Sequence, residues 1–566
     1  MAASLILNVV LALVVGAMVA RPLLHHTRGT GESSNASLPE EGPAPSEVTI
    51  TIDPAADVHL ISPLIYGIAK REDPNFVAEM GGTLNRWGGN SSSRFNWVIG
   101  HAWNTAADYQ FINTDRDSGE GSASDRYVEG NRAVSVTSLL TIPAVGWVAK
   151  SGDPNDRSQN VPEDGGPAIA ADGRIAGYDP ADNRKRTSVP SQARKPGPFV
   201  LNPTANSPVV YQNEWVNHLV QTFGPAANGG VRFYAIDNEP ELWSQTHRDV
   251  HPARMGYDDL ARVYLDYATA VKEVDPTAKV IGPESWGWVA YNYSELDRGT
   301  DRFATHADRK AHGDVPFLPW FLRTVRAHDE KAGARSLDVL SVHFYPPAHG
   351  VYSDDSDPKV DALRLRSTRA LWDPSYQDES WIKDSVHLFP RLREWVDANY
   401  PGTRIGLTEY NFGGGNSVSA ALAEAEVLGI LGREDVEMAS YWRDPEKESP
   451  TWFAFRMFRN VDGKGAKFGD VSMRATSSAP DAVSAFAARN GNVIDVMLVN
   501  KRLRDAEKVT INLPGARSGI KAHRFEYSGA DKKHIIQRPD FELGNGTLRL
   551  DLPAASITHL QMPVMS

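Results

Sequence analysis

The chain contains no cysteine, which excludes a disulfide framework, thiolate catalysis and thiolate metal sites. It also lacks an excess of positive charge: 59 Lys and Arg face 71 Asp and Glu, for a net charge of -12. Nothing here would neutralise phosphates in bulk, so a general nucleic-acid binder is excluded. A neutral polymer would not be repelled. No Lys or Arg precedes the apolar run at residues 4–20, while Arg21 and Arg28 follow it. That run reads as a signal peptide or an uncleaved membrane anchor, its length falling between a signal core and a full span. Val15-Gly-Ala17 is the best cleavage candidate. We expect a secreted or extracytoplasmic protein, with cleavage versus tethering left open.

What is present is the composition of a soluble globular protein, 41% hydrophobic and 23% charged over 566 residues. That length exceeds one ordinary domain and fits a barrel of roughly 250 to 400 residues plus a smaller unit. Fourteen Trp make the chain rich in the side chain that stacks well on sugar faces, although core packing uses the same residue. Residues 1–28 hold the signal or anchor. Residues 29–46, rich in Gly, Ser, Pro and Glu, read as a disordered linker.

The segment 47–53 alternates like a half-buried strand. Eight further runs read as barrel strands: 64–68, 83–87, 136–145, 231–237, 279–282, 338–345, 404–408 and 436–442. Helical patterns lie between them, clearest at 214–223, 260–274, 317–330 and 420–431, the second stopped by Asp275-Pro276. Strands alternating with helices imply a parallel sheet, and eight of them imply closure into a (β/α)8 barrel, here 64–470. Residues 152–208 form a long polar stretch after the third strand and read as a loop on the active-site rim. From 471 the pattern turns to short alternating strands (492–500, 508–512, 548–552, 556–563). These read as an accessory β-sandwich, 471–566, completed by the N-terminal strand within 47–63.

Two glutamates each follow a short apolar run: Glu239 in Ile236-Asp-Asn-Glu-Pro-Glu241 and Glu409 in Leu407-Thr-Glu-Tyr410. The C-terminal strand ends of such a barrel face the active site, and two carboxylates on that rim are the minimum equipment for glycosidic bond cleavage. Glu239 would be the acid/base, which needs a raised pKa, and Asn238 would bond the sugar 2-OH. Glu in a first helical turn is an ordinary alternative. Glu241, two residues on and past a proline, is expected to point along the loop. In Arg86-Trp-Gly-Gly-Asn90 a buried Arg86 would favour the charged form of Glu409, and the glycines would let backbone approach a ligand. Tyr345 could donate to the nucleophile and His343 could orient either group; barrel packing would use both equally well. Trp147, Lys150, Trp286, Trp288 and Trp442 stand where they could stack on or bond to sugars, as Asn90 does. His247-Arg-Asp-Val-His251 resembles a metal motif without a third ligand and reads as a rim loop. Asp179 and Asp182 have the oxygen character that calcium prefers, which Asx-rich turns share.

These residues resemble glycoside hydrolase family 44, a group of endo-acting β-glucanases and xyloglucanases. The resemblance rests on Ile65-Tyr-Gly67, the run Arg86 to Trp97, Pro143 to Lys150, Asp237 to Trp243, Thr246 to Pro252, Gly282 to Trp288, Thr408 to Gly413 and Phe453 to Gly465. It covers residues 47 to the C-terminus. It implies a (β/α)8 barrel with a β-sandwich and a retaining double displacement, Glu239 matching the acid/base and Glu409 the nucleophile. It implies no cofactor for the chemistry and adds weight to a structural calcium near the long loop, where Asn183-Arg-Lys-Arg186 departs from the family pattern.

Two other readings fit the same residues: a different retaining barrel glycosidase such as an exo-acting arabinofuranosidase, and a barrel that binds carbohydrate without turnover. Subsite shape, which the sequence does not contain, decides between cellulose-type glucan, xyloglucan, xylan and mannan.

Overall fold

The computed structural model describes residues 47–69, 73–116, 121–156, 187–514, 519 and 521–563. The segments expected to be leader and linker, and the candidate calcium ligands Asp179 and Asp182, lie outside these residues.

Eight strands form the centre: β1 (Gly67–Ala69), β2 (Leu84–Trp87), β3 (Thr137–Ile142), β4 (Phe233–Ile236), β5 (Lys279–Ser285), β6 (Val339–Phe344), β7 (Arg404–Tyr410) and β8 (Met438–Tyr441). Each pairs in parallel with its sequence neighbours, and β8 pairs with β1 to close the barrel. All eight expected runs overlap a barrel strand. At the first of them Pro63–Ile65 is a short 3-10 turn instead, capped by Ser62, and the strand begins only at Gly67. Proline at the first helical position favours that turn over a strand.

The strands are buried on both sides because helices cover the barrel. Tyr257–Val274 shows how the sequence dictates this: Leu260, Ala261, Tyr264, Tyr267, Ala268 and Val271 recur at helical spacing and are buried. The interior end away from the site is filled by Leu84, Leu139, Phe233, Ile281, Val339 and Met438, contributed by β2, β3, β4, β5, β6 and β8. The barrel is therefore a packed core there, and only its C-terminal mouth is free for chemistry.

Val48–Asp53 lies between Val471–Ser477, to which it is antiparallel, and Glu507–Asn512, to which it is parallel. Its alternating burial puts Val48, Ile50 and Ile52 in a second core with Val496, Leu498 and Leu560. Val471–Ser477 pairs with Val483–Asn490 along its first half and with Val48–Asp53 along its second, so it links two sheets of a sandwich. Five strands not anticipated complete it: the two-residue His59–Leu60, Val471–Ser477, Val483–Asn490, Lys521–Ser528 and Asp531–Glu542. Asp531–Glu542 is largely exposed and charged, which conceals the alternation a strand is read from.

The sandwich packs on the barrel helix Val418–Arg433. A side chain at Gly429 would collide with the Phe486 ring, and buried Glu426 accepts from Ser484 Oγ at 2.7 Å and Lys501 Nζ at 3.2 Å. The segment read as a structureless loop contains a strand, Ser188–Gln192, which pairs with Trp147–Ala149 and Val210–Tyr211. Among the described residues no helix is long and apolar enough to cross a membrane.

Candidate active site

The mouth of the barrel is built from strand ends that break regular geometry. Asp237 and Glu239, just past β4, have φ of 60° and 45°, and Glu284 near the end of β5 has φ of 60°. Register slips by one residue at Glu284 in the β5–β6 ladder and at Thr408 in the β6–β7 ladder. Such bulges re-aim the side chains beside them. Here they turn Glu284 and Glu409 toward one centre, and the two extra residues bond to each other, Thr408 Oγ1 donating to Glu284 Oε1 at 3.0 Å.

Arg86, fully buried at the end of β2, ties the centre together. Its Nη1 donates to Glu409 Oε1 at 2.6 Å, and its Nη2 to Glu284 Oε2 at 2.6 Å and Asn238 Oδ1 at 2.9 Å. Burial opposes its charge, but Glu284 and Glu409 outweigh burial and keep the guanidinium firmly protonated. A side chain at Gly88 would collide with this guanidinium, and one at Gly89 with the Trp442 ring. The glycines thus make room for these protein side chains.

Tyr345 Oη donates to Glu409 Oε2 at 2.8 Å, so both oxygens of Glu409 carry a hydrogen bond. Burial pushes the tyrosine pKa well above its ordinary value, so it remains a donor. On the other side His343 Nδ1 lies 2.8 Å from Glu239 Oε1 and 3.5 Å from Glu409 Oε2, and Nε2 lies 3.3 Å from Glu284 Oε2. The ring touches all three carboxylates. Burial alone would discharge the imidazole, but Glu409, Glu239 and Glu284 raise its pKa to about 10.

Burial also raises the pKa of Glu239; Glu409 adds to the shift, while His343 and Arg86 oppose it. Glu284 goes the other way. Burial works against its charge, yet Arg86 and His343 bring its pKa down to about 2. Side-chain accessibility follows the same division: 15% for Glu239, 5% for Glu409 and none for Glu284. Glu239 is the carboxyl best placed to exchange a proton with water or a leaving group.

One oxygen of Glu239, one of Glu409 and a ring nitrogen of His343 all lie within 4.8 Å of one another. The cluster has the ligand types of a metal site, but its chemistry does not suit one. Arg86, held between Glu409 and Glu284, already supplies the positive charge that a cation would bring.

Asn238 sits beside Glu239 and receives Arg86 Nη2 and Gly89 N, while its Nδ2 donates to Asn90 Oδ1 at 3.2 Å. Asp237 is held by Ser93, by Ala144 N and, at 2.9 Å, by Val145 N; burial still raises its pKa to about 6. Of the aromatic candidates, Trp286 and Trp442 are half-buried, and Trp147 packs partly on the core. Trp288 is covered by the Arg391 guanidinium 5.2 Å from its ring. Lys150 is exposed and pairs with Asp156 at 3.6 Å.

One expectation is corrected. Glu241 does not run along the loop but is buried, accepting from Ser285 Oγ at 2.6 Å, with its pKa raised by burial to about 7. The His247–His251 segment is turn and loop after β4, as expected, and it is tightly packed: His247 is fully buried and Asp249 pairs with buried Arg94 at 2.9 Å. Glu284 carried no assigned role, yet it joins Arg86 to His343. The readable signal was a third carboxylate at a strand end, in Ile281-Gly-Pro-Glu-Ser285.

The model of glycoside hydrolase family 44 matches residues 102–348. Endoglucanase A of Paenibacillus lautus is 28% identical over 546 residues, 91% of this chain and 73% of that protein. Among solved structures, CelM2, a bifunctional glucanase-xylanase from a metagenome library, superimposes with a TM-score of 0.81 at 36% identity, over 93% of this chain and all of that one. A Paenibacillus polymyxa xyloglucanase solved with xyloglucan gives 0.81 at 28% identity, over 92% of this chain and all of that one.

Proposed function

The chain belongs to glycoside hydrolase family 44, and from that premise we propose that it cuts β-1,4-glucan backbones internally with retention of configuration. Glu409 is the nucleophile and Glu239 the acid/base. The observation that carries this reading is the approach of a Glu239 oxygen to a Glu409 oxygen within 4.8 Å. Retaining enzymes hold the two carboxyls roughly 5 to 5.5 Å apart, whereas inverting ones leave roughly 6.5 to 9.5 Å for a water.

The asymmetry of the hydrogen bonds supports the roles. Glu409, held by Arg86 and Tyr345, is the oriented carboxylate that attacks the anomeric carbon as the glycosidic C–O bond breaks. Glu239, with its raised pKa, gives its proton to the departing oxygen. Glu239 then takes a proton from water, whose oxygen attacks the anomeric carbon and frees Glu409. Asn238 bonds the sugar 2-OH, and Asn90, Trp147, Lys150, Trp286 and Trp442 contact neighbouring units. His343 and Tyr345 hold the carboxyls.

The polymers for which the similar proteins are named, glucan, xylan and xyloglucan, define the trial set. The purified protein is incubated with xyloglucan, carboxymethylcellulose, xylan and glucomannan, and the products are sized. Mid-chain cuts in a β-1,4-glucan are expected; a folded protein silent on all four contradicts the reading.

Residues 64–470 would form the catalytic unit, and 47–63 with 471–566 the accessory sandwich. Export through residues 4–20 is proposed on their apolar run, and fractionation of cells with N-terminal sequencing tests it. A structural calcium at Asp179 and Asp182 is proposed on their oxygen chemistry and the family resemblance. Metal content and the change in melting temperature on chelation test it.

A further inference from the structure

Glu284 is the one carboxylate of the centre with no accessible surface, so it cannot touch a substrate. It is nevertheless the common partner of the two cations. Its Oε2 receives Arg86 Nη2 at 2.6 Å and faces His343 Nε2 at 3.3 Å, while its Oε1 receives Thr408 Oγ1 at 3.0 Å. Ser341 Oγ receives the Glu284 backbone N–H at 3.2 Å, fixing the bulge. An ionised carboxylate only accepts, so the nitrogen facing it carries a hydrogen.

That constraint passes through the ring to Glu239. A neutral His343 with its hydrogen on Nε2 would present a lone pair at Nδ1. The Glu239 proton would then sit on Oε1, pointing at the histidine, where it is useless to a leaving group. A cationic ring donates Nδ1–H to Oε1 instead, and the Glu239 proton must reside on Oε2. Resting on the acid/base role given to Glu239 above, we infer that Glu284 is a positioning residue: it holds His343 as a double donor and thereby fixes Oε2 of Glu239 as the oxygen that delivers the proton.

The other groups facing His343 are consistent with this. Glu409 Oε2 lies 3.5 Å from Nδ1 and favours the cation. Arg86 Nη2, 3.5 Å from Nε2, opposes it, as burial does. Glu241 contributes a weaker charge contact, and the Tyr291 hydroxyl occupies the His343 carbonyl. Without Glu284 the nearest charge to Nε2 is the Arg86 guanidinium, which disfavours a proton there.

The test is nitrogen NMR of the full protein labelled at its histidines, with the His343 signals assigned by their loss in H343Q. In the wild type both ring nitrogens should stay protonated from about pH 5 to about pH 8, the range in which an ordinary histidine titrates. In E284Q the ring should lose its proton within that range. In T408V, which removes a hydrogen bond to Glu284 but not its charge, both nitrogens should stay protonated. On the glucan substrate E284Q should lower kcat at least about tenfold with KM within about twofold, since no substrate contact is lost. A wild-type His343 that titrates normally, an E284Q ring that stays doubly protonated, or a T408V ring that discharges would each overturn the inference. The NMR result is independent of turnover. A doubly protonated His343 in a protein that cleaves no β-1,4-glucan would sink the proposed function and leave the role of Glu284 in His343 protonation standing.

Discussion

A Glu239 oxygen and a Glu409 oxygen lie within 4.8 Å, with His343 Nδ1 in contact range of both, 2.8 Å from Glu239 Oε1 and 3.5 Å from Glu409 Oε2. The two carboxyls differ in everything but type. Glu409 is fixed by Arg86 and Tyr345, and Glu239 faces the cleft with a raised pKa. One folded centre therefore holds one carboxyl by two hydrogen bonds and leaves the other, of raised pKa, partly accessible, the asymmetry that the proposed separation of roles in glycosidic cleavage needs.

Replacing Glu409 with Gly should abolish turnover, because it removes the carboxylate proposed to attack the anomeric carbon. Azide should then restore cleavage, giving a glycosyl azide of the opposite anomeric configuration, identifiable by NMR. If E239G and not E409G yields that inverted azide, the two roles are exchanged.

The His343 cation opposes the raised pKa of Glu239, both as a charge and as a hydrogen-bond donor. In H343Q that opposition is gone, so the alkaline limb of kcat/KM, where Glu239 loses its proton, should move to higher pH while kcat falls. A pH–rate profile with a limb moved to lower pH would contradict the assignment.

Gly88 lies against the Arg86 guanidinium, and the collision created by a methyl group there is with the charged end of the fork. G88A should leave the circular dichroism spectrum unchanged and lower kcat on the order of a hundredfold, the effect of a displacement near 1 Å in a catalytic centre. An unchanged kcat would show that Arg86 geometry does not limit the reaction.

Glu424, on the helix behind β7, accepts from the Tyr410 hydroxyl at 2.7 Å, and burial raises its pKa from 4.5 to about 8. Between those values the folded protein holds a proton that the unfolded chain releases, so this stability is complete below about pH 4.5 and is lost as pH rises through about 8. Asp237 and Glu241, at about 6 and about 7, act with the same sign. Glu284, at about 2, acts with the opposite sign, its contribution being present above about pH 4.5 and lost as pH falls from there through about 2. E424Q should flatten the decline of melting temperature between about pH 5 and about pH 8, on the order of 1 kcal/mol for each pH unit removed. A decline as steep as in the wild type would refute this.

The barrel was legible because its eight strands are short apolar runs at regular spacing, and because Glu239 and Glu409 follow two of them directly. Arg86 and Tyr345 were legible as polar groups at strand ends. Glu284 was visible only as a third carboxylate at a strand end; its role was not, because that comes from bulges at Glu284 and Thr408 that slip the ladders by one residue. A strand pattern read at period two cannot register such a slip. The direction of Glu241 was misjudged for a related reason: Asp237 and Glu239 take left-handed backbone, and the chain after Glu239 turns inward toward Ser285. The sandwich strand Asp531–Glu542 escaped because both its faces are largely exposed and charged.

The most direct test of the account is the configuration of the first product released from a β-1,4-linked oligosaccharide, followed by proton NMR before mutarotation. The Glu239–Glu409 spacing predicts that the β-anomer appears first and the α-anomer only later, as solution equilibrium is reached. Prompt appearance of the α-anomer would mean direct displacement by water and would contradict Glu409 as the nucleophile.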